Sequence, residues 1–228
     1  MSTPSYEEIY TTLKQQNQLH LLKYYDQLTP DRQAALLEQI HSIDWELIGL
    51  TKKAPSADED APKDIEPLGA MELSEIERRR EEFTSIGLDA LRARKTGAVL
   101  LAGGQGTRLG FDKPKGMFNI GVSKTLYIFQ CLINNLMDVV KQAGAWVPLY
   151  IMTSQKNHED TTAFFREHDY FGYNPDEVHF FRQDMAPSVG YDGKVLMEAR
   201  DRISLSPNGN GGWFSSLCRA GYLKEMQE

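Results

Sequence analysis

Apolar side chains recur at helical intervals through the first fifty residues. Tyr6, Ile9, Tyr10 and Leu13 share one helical face, and Leu19, Leu22 and Tyr25 share another. Thr29-Pro30-Asp31-Arg32-Gln33 has the makings of a helix start: Thr29 as N-cap, Pro30 at the first helical position, an acid and an amide in the first turn. Leu36, Leu37 and Ile40 continue its apolar face, and residues 44–50 could add a further turn or two. Residues 1–50 therefore read as an N-terminal helical appendage. The periodicity then gives way to Ala, Pro, Asp and Lys over residues 51–67, an exposed linker extending to residue 72. Ser74 is placed to cap a charged helix over 75–83, in which Arg78, Arg79 and Arg80 interleave with Glu75, Glu77, Glu81 and Glu82. That interleaving favours a solvated face laced with i,i+4 pairs over an anion site. A second short helix at 85–94 completes a lead-in spanning 73–95.

Beyond residue 96 the pattern changes. Gly97-Ala98-Val99-Leu100 has no polar side and predicts a strand buried on both faces. Leu126, Phe129, Leu132, Ile133, Leu136, Val139 and Val140 give residues 126–143 one broad apolar helical face. Residues 147–153 predict a second buried strand. Asn157 is placed to cap a helix running to about residue 169, and 178–182 predict a third strand. Turn residues around Asp192-Gly193 suggest short strands or a hairpin within 188–205, and 211–227 should be helical. Strands alternating with helices predict an α/β sheet over 96–228. There are no internal repeats.

Composition narrows the function classes. With 41% hydrophobic and 25% charged residues this is ordinary globular material. A formal charge of −7 argues against nucleic acid as a partner, yet leaves room for a phosphate ligand that needs only a few local cations. No apolar run approaches the roughly 18 residues of a membrane span, and the N-terminus has no signal-peptide pattern. The expectation is a cytoplasmic protein without a membrane partner. Cys131 and Cys218, the two cysteines, suit small core residues better than a disulfide or zinc framework. None of the five histidines forms a ligand pair, and no G-x-S-x-G serine motif is present.

The candidate chemistry lies in residues 101–115, LAGGQGTRLGFDKPK. Gly103, Gly104, Gly106 and Gly110 fall within eight residues, with Arg108 among them and Lys115 just beyond. A strand opening into such a loop can wrap backbone N–H groups around phosphates, while the cations supply charge. Two commoner phosphate loops are excluded by spacing. Leu109 stands where a dinucleotide fingerprint needs its third glycine, and no glycine is followed by the Gly-Lys of a Walker A loop. A plain glycine-rich turn is the alternative; it would not require Thr107, Arg108 or the following Pro114-Lys115-Gly116. A second glycine cluster, Asn208-Gly209-Asn210-Gly211-Gly212, precedes the last predicted helix, whose N-terminus would add its N–H groups. Ligands of open α/β sheets bind beyond the carboxyl ends of the strands, which puts Gln183 on the same rim. Its amide offers both a hydrogen-bond donor and an acceptor to a ligand on that rim.

LAGGQGTRLG…PKGMF resembles the signature of the eukaryotic-type UDP-sugar pyrophosphorylases, above all those that act on N-acetylglucosamine. Lys124-Thr125-Leu126, Phe181-Arg182-Gln183 with Pro187, and Ser206-Pro207-Asn208-Gly209-Asn210-Gly211-Gly212 resemble later motifs of that family in the same order. Together they cover residues 85–228. The resemblance implies a Rossmann-like nucleotidyltransferase (nucleotide-diphospho-sugar transferase) sheet. It also implies transfer of a uridylyl group from UTP to N-acetylglucosamine 1-phosphate, with UDP-N-acetylglucosamine and pyrophosphate as products and Mg²⁺ as cofactor. A glucose- or galactose-type UDP-sugar pyrophosphorylase and a non-catalytic nucleotide-binding fragment remain open as alternatives.

Residue by residue, the resemblance implies that Gly103, Gly104, Gln105, Gly106, Thr107, Gln183 and Gly209 bind the nucleotide. Gly104 (by its backbone) and Gln183 face the uracil, and Asn210 lies on the sugar side. Arg108 and Lys115 hold the triphosphate and stabilise departing pyrophosphate, whereas Lys113, between Asp112 and Pro114, reads as a surface residue. Trp213-Phe214-Ser215-Ser216 departs from the Leu-Tyr-Arg-Ala common in the animal enzymes, which leaves the sugar preference open. Family members are longer and carry a metal-holding aspartate, sugar-binding residues and a second lysine further on. The resemblance therefore implies a sheet incomplete at the C-terminus, no metal ligand within this chain, and little activity for the chain alone.

Overall fold

The computed structural model of the chain describes residues 4–52 and 67–226. These residues group into two compact units. One takes the described part of Met1–Pro67 together with Met185–Pro207; the other takes Leu68–Asp184 and the described part of Asn208–Glu228. The domain expected as a continuous 96–228 is thus interrupted by a 185–207 excursion that folds with the N-terminal helices. Most of the linker expected at 51–72 lies outside the described residues.

In the first unit, α1 (Tyr6–Gln15) starts with a capping box in which Ser5 and Glu8 satisfy each other's backbone N–H groups. The 19–25 periodicity yields two short 3₁₀ turns, Leu19–Leu22 and Tyr25–Gln27, instead of a helix. α2 (Pro30–His41) begins at Pro30 as expected, and α3 (Trp45–Lys52) follows. Ile9, Leu13, Leu21, Leu36, Leu37 and Ile40 pack with Val195 and Ile203 of the excursion into one core. Gln18 is fully buried there; its Nε2 donates to Gly193 O at 2.8 Å and its Oε1 accepts from Val195 N at 3.0 Å.

The second unit begins with α4 (Leu73–Arg78) and α5 (Arg80–Arg92). Ser74 lies inside α4 instead of capping it, and the break falls at Arg79, not near residue 84. Arg79 leaves helical geometry (φ −103°, ψ 14°) while its guanidinium grips Glu82 with two hydrogen bonds of 2.8 Å. The sheet is parallel, in the order β1 (Ala98–Leu101), β2 (Leu149–Thr153), β3 (Val178–Arg182), with α6 (Ile128–Ala143) and α7 (His158–Glu167) between the strands. β2 is central and buried along its whole length, which accounts for its unalternating apolar sequence. Leu149 and Ile151 pack on one face with Phe129, Ile133, Phe164 and Phe165. Tyr150 and Met152 pack on the other with Phe181 and Leu217. β1, expected to be buried on both faces, is an edge strand of this sheet and only half-buried, with Leu101 exposed.

The excursion comprises β4 (Met185–Pro187), β5 (Met197–Ala199), β6 (Arg202–Ile203) and β7 (Leu205–Pro207), paired antiparallel as β4–β7 and β5–β6. Its turn at 190–194 uses Gly193 at φ +73°. The expected 211–227 helix is broken into α8 (Trp213–Arg219) and α9 (Tyr222–Glu225) by Gly221 at φ +89°. No helix among the described residues is long and apolar enough to cross a membrane.

Candidate functional site

The parallel register carries all three strand ends to one rim. Ladder bonds run past the strands, from Ala102 N to Met152 O (2.7 Å) and from Gln183 N to Thr153 O (2.6 Å). Gly103 and the Gln183 side chain therefore start from fixed points. They meet closely: a Cβ built on Gly103 would lie 2.9 Å from Gln183 Oε1. Gln183 is 5% exposed, and its Nε2 donates to Gly209 O at 2.8 Å. The glycine loop, the glutamine and the second glycine segment, read separately from the sequence, are thus brought together.

The glycine loop folds on itself. Gly106 N donates to Lys113 O (2.9 Å), Phe111 N to Gly106 O (3.2 Å) and Lys115 N to Gly104 O (3.2 Å), while Gln105 bridges Pro114. Gly106 is buried with no room for a side chain, since a Cβ would stand 2.9 Å from Phe111 O and 3.0 Å from Lys113 O. Gly110 ends the Thr107–Leu109 turn at φ +68°. Gly104 differs, because a Cβ there would meet nothing within 4 Å. Thr107, Arg108, Lys113 and Lys115 are exposed. Neither the Arg108 nor the Lys115 side chain has a hydrogen-bond or ion-pair partner among the described residues.

At the second segment, Gly209 adopts φ 85° and ψ 169°, a conformation reserved almost wholly for glycine. Asn210 is exposed and opens the 3₁₀ turn Asn210–Gly212. α8 is only seven residues long, so the dipole contribution expected from a long helix here is not available.

Two features escaped the sequence reading. Asn157 precedes α7 as expected, but its side chain does not cap the helix. It is buried across the rim instead: Oδ1 accepts from Ser154 N at 2.7 Å, and Nδ2 donates to Ala102 O at 2.9 Å. The following His158 lies 2.7 Å by Nδ1 from Thr153 Oγ1. The same hydroxyl lies 3.1 Å from Phe181 O, to which it can donate. Burial, then the Arg182 charge, lowers the His158 pKa from its ordinary value. The second missed feature is Asp184, next to Gln183, which engages Ser216 and Arg219 of α8. Only the departure of residues 213–216 from the family pattern hinted at it. Among the described residues no three His, Cys, Asp or Glu side chains gather closely enough to hold a metal ion.

A parallel sheet with helical crossovers, ending in a glycine loop and a buried amide on one rim, defines an α/β protein of the Rossmann-like nucleotidyltransferase fold. The chain belongs to the UTP--glucose-1-phosphate uridylyltransferase family, whose profile matches residues 40–228. It is 35% identical to UDP-N-acetylglucosamine diphosphorylase 2 of Arabidopsis thaliana, over 94% of this chain and 46% of that protein. It is 34% identical to UDP-N-acetylglucosamine pyrophosphorylase of Saccharomyces cerevisiae, over 90% of this chain and 44% of that protein. Among solved structures, the UDP-N-acetylglucosamine pyrophosphorylase of Trypanosoma brucei superposes with a TM-score of 0.68 at 28% identity, over 95% of this chain and 46% of that one. A UDP-glucose pyrophosphorylase of Leishmania major shares the fold, with a TM-score of 0.55 at 18% identity. The chain spans about half the length of the curated relatives it matches.

Proposed function

We propose that the rim formed by residues 103–108, Gln183 and Gly209 binds UTP, and that the protein transfers its uridylyl group to N-acetylglucosamine 1-phosphate. One observation carries this reading: Gln183 is fixed between Gly103 and Gly209, where its amide faces both glycine segments at once. The names of the relatives supply the sugar. A sugar 1-phosphate oxygen attacks the α-phosphorus of UTP in line, a new P–O bond forms, and the bond to pyrophosphate breaks. Phosphate is already a competent nucleophile, so positioning and charge neutralisation carry the rate. Gly103, Gly104, Gln105 and Thr107 supply backbone to the phosphates and base, and Gly106, whose N–H is spent on Lys113 O, shapes the loop that presents them. Arg108 and Lys115, unpaired among the described residues, are free to grip the triphosphate and stabilise the leaving pyrophosphate.

Asn210 faces the sugar. Mg²⁺ belongs to this reading as companion of the triphosphate. The described residues gather no carboxylate set for it, and no step above runs through it. A cytoplasmic setting fits a protein whose two cysteines are both free.

Calorimetric titration with UTP tests the reading. UTP binding is expected, weakened by about tenfold or more in Arg108→Ala and in Lys115→Ala, because each removes a charge-assisted contact. Failure to bind UTP, or full affinity in both variants, overturns it. Calorimetry with UDP-N-acetylglucosamine beside UDP-glucose decides the sugar.

A further inference from the structure

The second missed feature ties together the two segments proposed to hold the base. Asp184 N donates to Ser216 Oγ at 3.1 Å. The same hydroxyl lies 2.7 Å from Asp184 Oδ2, toward which it donates, and 3.0 Å from Gly212 O. Arg219 pairs with the same Oδ2. Ser216 is buried, so these contacts compete little with water.

The chain therefore joins the Gln183 segment to the glycine segment at three points. Gln183 Nε2 bonds Gly209 O, Asn208 N bonds Asp184 O (3.2 Å), and Ser216 Oγ, one helical turn beyond Gly212, accepts from Asp184 N and donates to Asp184 Oδ2. Only the third comes from a side chain outside both segments. An alanine at position 216, as in the Leu-Tyr-Arg-Ala pattern, could make none of these bonds.

We propose that Ser216, backed by Asp184 and Arg219, is a positioning latch that fixes Gln183 against Gly209 and so sharpens discrimination for uracil. This rests on the reading that Gln183 and Gly209 hold the base. The latch's hydrogen bonds run among residues 184, 212, 216 and 219, and none runs to the 103–115 loop proposed to hold the phosphates. Its loss should thus act on base selectivity and leave phosphate affinity alone.

Titration of the wild type and of Ser216→Ala, Asp184→Ala and Asp184→Asn with UTP, CTP and inorganic tripolyphosphate tests the latch. In Ser216→Ala and Asp184→Ala the UTP-over-CTP preference is expected to fall by about five- to tenfold, the worth of one buried hydrogen bond. Tripolyphosphate binding should stay unchanged. Asp184→Asn keeps an acceptor for Ser216 and should restore most of the preference lost in Asp184→Ala. An unchanged UTP-to-CTP ratio in Ser216→Ala overturns the latch, as does a parallel loss for all three ligands, which would mark a merely structural role. A wild type that does not prefer UTP overturns the functional reading itself, and the latch with it.

Discussion

Gly104 and Gly106 sit two positions apart, yet glycine answers different demands at each. At Gly106 the demand is internal: Phe111 O and Lys113 O occupy the space of a side chain. Gly106→Ala should lower stability by about 1–3 kcal/mol through overpacking, read as a shift in the urea midpoint. Gly104 has no such neighbour and no positive φ, so Gly104→Ala should hold stability within about 0.5 kcal/mol. Its methyl group would instead stand where nucleotide backbone contacts are proposed, and UTP affinity should drop by about tenfold or more. Wild-type UTP affinity in Gly104→Ala would show that the open side of the loop is not where the nucleotide lies. The sequence displayed both glycines alike. Their difference appears only when residues 111–113 fold back over one of them.

At the scale of elements, the start of α7 carries the structural consequence. Asn157 spans the rim by joining Ser154 N to Ala102 O, both next to the glycine loop. Asn157→Ala would leave a buried donor and acceptor without partners. It should cost about 2 kcal/mol, measured by urea unfolding, and should weaken UTP binding as the loop loses its anchor. Unchanged stability in that variant would remove Asn157 from the loop's support.

The periodicity of residues 126–143 and the apolar runs at 149–153 and 178–182 made α6, β2 and β3 legible, because burial writes itself into spacing. The use of Asn157 was not legible. A cap residue beside a strand end has two sets of backbone groups to choose from, and only the tertiary position of Ala102 decides between them. The break at Arg79 escaped for a related reason: a helix charged on nearly every face has no apolar stripe to register a kink. β1 misled in the opposite sense, since its apolar run looks like that of β2 while its place in the sheet is an edge.

Over the whole molecule, the sequence marked three site segments but not the membership of residues 185–207 in the N-terminal unit. Gln18, a polar residue in a helical pattern, contributes to that grouping with an amide bonded to Gly193 and Val195. Gln18→Ala should destabilise the N-terminal unit by about 2 kcal/mol, since two buried backbone groups lose their partners. Faster hydrogen exchange at the Val195 amide would report it. A Val195 amide that stays protected would show that the apolar core alone holds the excursion.

The excursion also bears on how the site is assembled. The chain leaves at Asp184 and returns at Asn208, whose backbone groups are bonded to one another, and β4 and β7 then zip residue against residue from Met185↔Pro207 to Pro187↔Leu205. A detour that comes back to its point of departure works like a clasped purse: the neck is set, whatever the bag contains. Gln183 and Gly209 are 26 positions apart in sequence and 2.8 Å apart in space. A change at the far end of the detour would be felt by the N-terminal core that Val195 and Ile203 help to build, while β4 and β7 would still return the chain to that gap.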